Sequence, residues 1–319
     1  MPTVTMEWES RLGRRLRVRD LYILTTVVDS GSMAKAARRL SMAQPSVSAA
    51  IANLEHTLGV RLLDRGPQGV APTIYGRALI GRGLAIFHEL REGIKEIEFL
   101  ADPAAGELRV ACPETMSAGL LPAIMERLAQ RSPRVVVHVV QSNTVTQEFR
   151  ELRERNVDLM LGRVSGELDD DLAAEVLYKD RMFVVASAAS PWARRRKLVL
   201  ADLADAPWVN APPDSIVGSY LADVFAAQGM PPPNINIVSF SMYLRNTLLA
   251  TGRYVALLPG SVLRFSAERF ALRALPIRLP PVNAPIAIVT LKHRTPSPVA
   301  SLFVECAREI AKSVAKSLA

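Results

Sequence analysis

Apolar and polar positions alternate in three regimes along the chain. From Val18 to Leu58 the apolar residues come in short bursts at helical spacing. Leu21, Leu24 and Val28 share one face of a helix predicted over Val18 to Asp29. Met33, Ala36, Ala37 and Leu40 recur at i, i+3, i+4 and i+7, and Val47, Ile51, Leu54 and Leu58 at i, i+4, i+7 and i+11, which predicts two more short amphipathic helices. Ser32 suits the cap of the first of these two, and Pro45 the first turn of the second, where a missing N–H costs nothing. The small Ala36 and Ala37 let two helices cross closely. Arg61 to Asp64 and Val70 to Pro72 then read as two short strands joined by Gly66-Pro67-Gln68-Gly69.

The second regime is one long helix, predicted from Thr73, its cap, to about Leu100. Leu79, Gly83, Ile86, Leu90, Gly93, Ile97 and Leu100 repeat with 4,3 spacing, a heptad seam. Nothing local is available to bury it, so Leu79, Gly83, Ile86, Leu90 and Ile97 are candidate dimerisation positions. Packing on the chain's own surface is the alternative. Pro103 and Gly106 break the helix. Beyond them the period changes: eight short apolar runs between Leu108 and Leu291 alternate with helical stretches, and a last helix runs over Pro298 to Leu318. Strands alternating with helices mark an α/β domain. The chain is expected to cross between two lobes near residues 162–181 and again near 260–285. The expected division is 1–72 for an N-terminal arm with the short helices and hairpin, 73–101 for the linker helix and 107–319 for the α/β domain. Its lobe I is expected at about 107–162 with 285–319, and lobe II at about 180–260.

Composition sharpens this picture. The chain has 319 residues, 49% of them hydrophobic, and a net charge of +8. Residues 1–70 hold ten Lys and Arg against six Asp and Glu, half of that excess in about a fifth of the chain. A basic segment around a helix-turn-helix favours a polyanion. Arg11, Arg14, Arg15, Arg17 and Arg19 form an arm able to reach phosphates, or a solvated terminus. No apolar run approaches the roughly 18 residues of a membrane span, and the strongly charged Arg11 to Arg19 does not suit a signal peptide. A cytoplasmic protein is expected.

Residues 31 to 65 thus carry a helix-turn-helix signal, with a hairpin in some other core as the bland alternative. In the first reading the second helix enters the major groove. Its outward face carries Gln44, Pro45, Ser46, Ser48, Ala49, Ala52 and Asn53. Gln and Asn can bond adenine edges, Ser either base edge or phosphate, and Ala can touch a thymine methyl. Ser32, Lys35, Arg61 and Arg65 are the accompanying backbone contacts, Arg65 foremost.

The residues themselves narrow the choice. Ser30-Gly31-Ser32, Ala36-Ala37, Leu40, Gln44-Pro45, Val47-Ser48, Ile51, Leu54-Glu55, Leu58-Gly59 and Leu62 to Arg65, then Pro72-Thr73 and Gly76, resemble the LysR-type transcriptional regulators in order and spacing. Leu120-Leu121-Pro122, Asn156 to Leu159 and Thr251 to Pro259 fit the same family's effector domain, less specifically. The arrangement of residues 29–110 is similar to a subgroup linked to sugar uptake, the galactose-binding-protein regulators. The resemblance implies an α+β multidomain fold: an N-terminal winged helix-turn-helix, a long linker helix, and a two-lobed α/β effector domain like periplasmic binding proteins. It implies a homo-oligomer, dimer or tetramer, that binds promoter DNA and changes conformation on binding a small effector, with RNA polymerase as a further partner. The aromatic common in that family at Leu63 is missing, and Gln68 stands at the wing tip where a second cation is expected.

An effector, an organic acid or a sugar, belongs beyond the carboxyl ends of strands, near helix N-termini. Thr115 and Ser117, then Ser142, Asn143 and Thr144, then Asp214 and Ser215, and Ser241 occupy such turns, and Arg163 stands close to a crossover. Helix capping is the plain alternative for each Ser and Thr. Two other functional classes have candidate residues. Cys112 and Cys306 would serve a thiol-based redox-sensing regulator, or be structural buried thiols. His56, His88, His138 and His293 are scattered and match no catalytic or metal-binding spacing, so no enzyme, cofactor or metal is expected.

Overall fold

The computed structural model describes residues 16–66, 69–142 and 149–318. These separate into two compact units, residues 1–93 and 94–319.

The first unit is built on three short helices, α1 (Val18–Ser30), α2 (Met33–Arg39) and α3 (Gln44–Leu58). Their apolar faces make one core in which Leu24, Val27, Ala36, Val47 and Ile51 are fully or almost fully buried. Ser32 stands just before α2 but makes no side-chain cap bond, and Pro45 lies in the first turn of α3. β1 (Leu63–Gly66) and β2 (Gly69–Pro72) pair antiparallel as the wing. Glu55 joins α3 to the wing, its Oε1 accepting from the backbone N–H groups of Leu62 (2.7 Å) and Leu63 (3.2 Å). Val70 N donates to Gly31 O at 3.0 Å, which ties the wing to the turn between α1 and α2.

The long helix α4 (Ile74–Ala101) is capped as expected, Thr73 Oγ1 accepting from Gly76 N at 3.1 Å. Gly76 is required for the close approach of wing and helix, since a Cβ there would lie 2.1 Å from Leu62 O. The expected seam is only partly free. Leu79 packs on the three-helix core, and Gly83 is buried with Leu21 Cβ 3.8 Å from where its own Cβ would stand. Gly83 thus faces the chain's own α1, at a distance where a Cβ would make only an ordinary van der Waals contact. Ile86, Leu90, Ile94, Ile97 and Leu100 remain exposed.

The second unit holds two five-stranded sheets. Lobe I comprises β3 (Ala105–Cys112), β4 (Arg134–Gln141), β5 (Leu159–Arg163), β6 (Leu172–Tyr178) and β12 (Ile286–Leu291), ordered β4-β3-β5-β12-β6. The turn α5 (Glu114–Ser117), α6 (Leu120–Arg131), the turn α7 (Arg150–Arg153) and the C-terminal helix packed on β6 belong with it. Lobe II comprises β7 (Met182–Ser187), β8 (Trp208–Asn210), β9 (Ile235–Val238), β10 (Val255–Pro259) and β11 (Leu272–Ala274), ordered β11-β7-β10-β8-β9. Its helices are α8 (Ile216–Ala226), α9 (Met242–Ala250) and α10 (Gly260–Ser266), and the C-terminal helix of the chain is α11 (Pro298–Leu318).

Three departures from the expected pattern have local causes. β6 was expected to be connecting chain, but it lies at the edge of the lobe I sheet. Its residues lack the alternating strand signature because Ala174 and Val176 hold the exposed positions, while the half-buried Glu175 accepts from Arg308 of the C-terminal helix. The first crossover therefore shrinks to residues 179–181. α10 and β11 extend lobe II past residue 260, so the return crossover is residues 275–285. The helical stretch expected between the second and third strands is only the single turn α7 among the described residues, and residues 143–148 lie outside them.

Candidate functional site

Two surfaces carry candidate chemistry, one in each unit. On the first, α3 buries Val47, Ile51 and Leu54 and turns Gln44, Pro45, Ser46, Ala49, Ala52 and Asn53 to solvent, with Ser48 half-buried. Ser46, Ala49 and Asn53 line a groove shared with Arg17 and Arg19 from the start of α1. Lys35, Arg61 and Arg65 are exposed and Ser32 is half-buried. Arg11, Arg14 and Arg15 lie outside the described residues. The face is short, polar and free of large apolar side chains, and its cations sit beside it. An α-helix presenting amide, hydroxyl and methyl groups with cations at its flank has the chemistry of a major-groove reader.

The second surface is a cleft between the two lobes, with about 570 Å³ of empty space including its mouth. The loop after β3, the end of β4, the start of α8 and the inner face of α9 surround it. Thr115, Ser142, Arg163 and Ser215 line it, as expected. Ser142 Oγ is buried with no hydrogen-bond partner among the described residues. Ser215 is committed to its helix, accepting from Gly218 N (3.0 Å) and donating to Pro212 O (2.6 Å).

Three expected residues do not line the cleft. The Ser117 hydroxyl meets Cys112 Sγ at 3.3 Å, Asp214 is exposed on its loop, and Ser241 caps α9 by accepting from Leu244 N at 3.3 Å. Asn143 and Thr144 lie outside the described residues.

Arg163 is not a surface residue. Only 5% exposed, it donates from Nη2 to Asp180 Oδ2 at 3.1 Å and from Nη1 to Ala284 O at 3.0 Å. Ser261 Oγ donates to the same carboxylate oxygen at 2.8 Å. Burial pushes the Asp180 carboxyl up against the opposing pull of Arg163, and pushes the Arg163 guanidinium down against the pull of Asp180.

The chief residue missed by sequence reasoning is Arg245. Met242, Arg245, Asn246 and Leu249 form the buried face of α9 at i, i+3, i+4 and i+7, so a cation on an apolar stripe was the available signal. Arg245 is 1% exposed; its Nη2 donates to Leu257 O at 2.6 Å and its Nη1 to Met242 Sδ at 3.6 Å. Its Nε has no partner among the described residues. Burial lowers its pKa to about 10, with the charge of Glu114 opposing. Phe240, Ile216 and Val217 give the cleft an apolar wall beside this cation.

Both thiols are buried in the lobe I core, and burial pushes each up, away from thiolate. Among the described residues no group of three or more His, Cys, Asp or Glu is placed to hold a metal ion.

Family models match both parts of the chain. Residues 18–77 match the lysR-family bacterial regulatory helix-turn-helix protein, and residues 101–312, two thirds of the chain, match the LysR substrate binding domain. The chain belongs to the LysR family. It is a ligand-responsive DNA-binding transcriptional regulator, and its relatives are regulators, not enzymes. LysR regulators bind promoter DNA and small-molecule effectors, and they oligomerise. The HTH-type transcriptional regulator GbpR of Azospirillum brasilense is 26% identical over 290 residues, 90% of this chain and 84% of that one. The regulator PcaQ of Agrobacterium fabrum is 26% identical over 302 residues, 94% and 96% of the two chains. The crystal structure of full-length BenM, 26% identical, superposes with a TM-score of 0.52 over 93% of this chain and 97% of that one. No helix among the described residues of this LysR-family chain is long and apolar enough to cross a membrane.

Proposed function

We propose that this LysR-family chain is a cytoplasmic, homo-oligomeric regulator whose α3 reads operator half-sites and whose cleft takes a small organic acid with an apolar body. On the DNA side, Gln44, Ser46, Ser48, Ala49, Ala52 and Asn53 face the bases, with Pro45 setting the first turn of α3. Ser32, Lys35, Arg61 and Arg65 contact the phosphates. The division into residues 1–72, 73–101 and 107–319 follows, with β6 added to lobe I and α10 and β11 to lobe II. RNA polymerase is the partner through which such a regulator would act on the promoter.

The observation that carries the effector class is Arg245. A guanidinium buried this deeply is costly without a counter-charge, and no carboxylate bonds it among the described residues. An effector carboxylate would supply that charge to a cation with one N–H still unused. The apolar wall of Phe240, Ile216 and Val217 would take the rest of the molecule. A sugar, the other expected class, needs several polar partners; Asp214, the carboxylate expected for it, stands off the cleft.

A thermal-shift screen of small aromatic and aliphatic acids beside neutral sugars tests the reading, followed by footprinting on promoter DNA. Acids should raise the melting temperature, and Arg245→Met and Thr115→Ala should blunt that rise. Stabilisation by sugars alone would sink the acid assignment.

A further inference from the structure

The loop after β3 sends Glu114 from lobe I across the cleft to lobe II. Its Oε1 accepts from Met242 N at 2.8 Å and from Ser241 Oγ at 3.5 Å, while its Oε2 accepts from Gln141 Nε2 of lobe I at 3.4 Å. Met242 is the first residue of α9, so the carboxylate sits where the free N–H groups and the helix dipole favour an anion. One turn further along the same helix is Arg245, nine-tenths buried and more, which lines the same cleft and whose buried Nε has no partner among the described residues. The charge of Glu114 acts on Arg245 across this gap without bonding it.

We propose that Glu114 is an internal stand-in for the effector: its carboxylate latches lobe I to the start of α9, and a ligand carboxylate acts by displacing it. This rests on the organic-acid reading of the cleft. The displaced carboxylate returns to solvent. The incoming one takes over the Met242 N–H and the Ser241 hydroxyl and adds the bond to Arg245 that Glu114 does not make. The exchange makes effector binding compete with an interlobe contact, so the ligand necessarily changes how the lobes are held. A neutral ligand of the same shape cannot take over an anion's place and should not compete.

The test uses the full chain with benzoate as probe and benzamide as its neutral counterpart. In titration calorimetry Glu114→Gln, which keeps an acceptor but loses the charge, should bind benzoate about tenfold more tightly than the natural chain. Benzamide affinity should not change. Glu114→Ala should speed hydrogen exchange in the segment Ser241 to Leu244, and benzoate should slow it again. Melting curves of both variants establish that they fold. If benzoate binds the natural chain and Glu114→Gln equally well, through Arg245 in both, the latch is wrong and the acid reading stands. If benzoate binds neither folded protein, or binds regardless of Arg245→Met, the latch and the acid reading both fall.

Discussion

Arg163 and Asp180 pair at the point where the chain leaves lobe I for lobe II, at 3.1 Å and almost out of contact with water. Arg163 also bonds Ala284 O on the returning segment, so a single guanidinium holds both crossovers. Removing one member of such a pair leaves the other charge buried and unpaired. Asp180→Ala should therefore lower the stability of the second unit by about 3–5 kcal/mol. The double change Arg163→Met with Asp180→Leu should recover much of that loss, since neither charge is then stranded. Guanidinium denaturation of the three variants checks both statements. A double variant as unstable as Asp180→Ala would show that the two groups do not act as a pair.

The proposed recognition surface assigns some groups to bases and others to phosphate, and replacing them should have different effects. Gln44 and Asn53 are exposed amides on α3, and each should contribute about 1–3 kcal/mol of discrimination between operator and random DNA when replaced by Ala. Arg65, on β1 of the wing, should instead weaken both kinds of DNA alike and lower the salt slope by about one when replaced. Fluorescence anisotropy across a salt series separates the two behaviours. Equal losses on both DNAs for Gln44→Ala would remove it from the base-reading set.

How much of this was visible in the chain depends on which signals are local. The three-helix core followed from helical spacing, because Val47, Ile51 and Leu54 need only one buried face. The cleft was half legible: turns before helices advertised Thr115, Ser142 and Ser215, whereas Arg245 is significant only because Leu257 and Met242 surround it in space. Edge strand β6 was hidden because its exposed positions hold the apolar Ala174 and Val176 while the charged Glu175 lies on the half-buried face, so polarity does not alternate with burial and leaves no period-2 signal. Arg163 could be placed near a crossover from sequence, but not its commitment to Asp180, seventeen positions away and buried with it.

Gly76 offers a backbone test of the wing. A methyl group there would stand 2.1 Å from Leu62 O and 3.3 Å from Pro72 Cβ. The oxygen cannot move away alone, since Leu62 O also accepts from Thr73 N at 2.9 Å. Gly76→Ala should destabilise the first unit by about 1–3 kcal/mol, an overpacking cost. It should also weaken DNA binding, because the wing and α3 share Leu62 and Glu55. The same substitution at Gly81, where nothing lies within 4 Å, should be neutral or slightly stabilising. Thermal unfolding of the two variants side by side makes the comparison.

The seam on α4 separates self-association from domain stability. Leu79 packs into the three-helix core, whereas Leu90 is 52% and Ile97 68% exposed on the same helix. A stripe of this kind left in water is the signature of a helix awaiting an apolar partner. Leu90→Glu and Ile97→Glu should leave the melting of the isolated subunit nearly unchanged, because neither side chain is buried within it. Both should weaken the dimer at least about tenfold, the effect of placing a charge in a coiled-coil seam. Leu79→Ala should do the reverse, costing about 2–3 kcal/mol of stability in the first unit with the dimer constant little changed. Sedimentation equilibrium over a concentration series, read beside thermal melts, measures both quantities in each variant. If Leu90→Glu and Ile97→Glu sediment like the natural chain, the exposed stripe is not the subunit contact. Oligomerisation would then have to come from the effector domain alone.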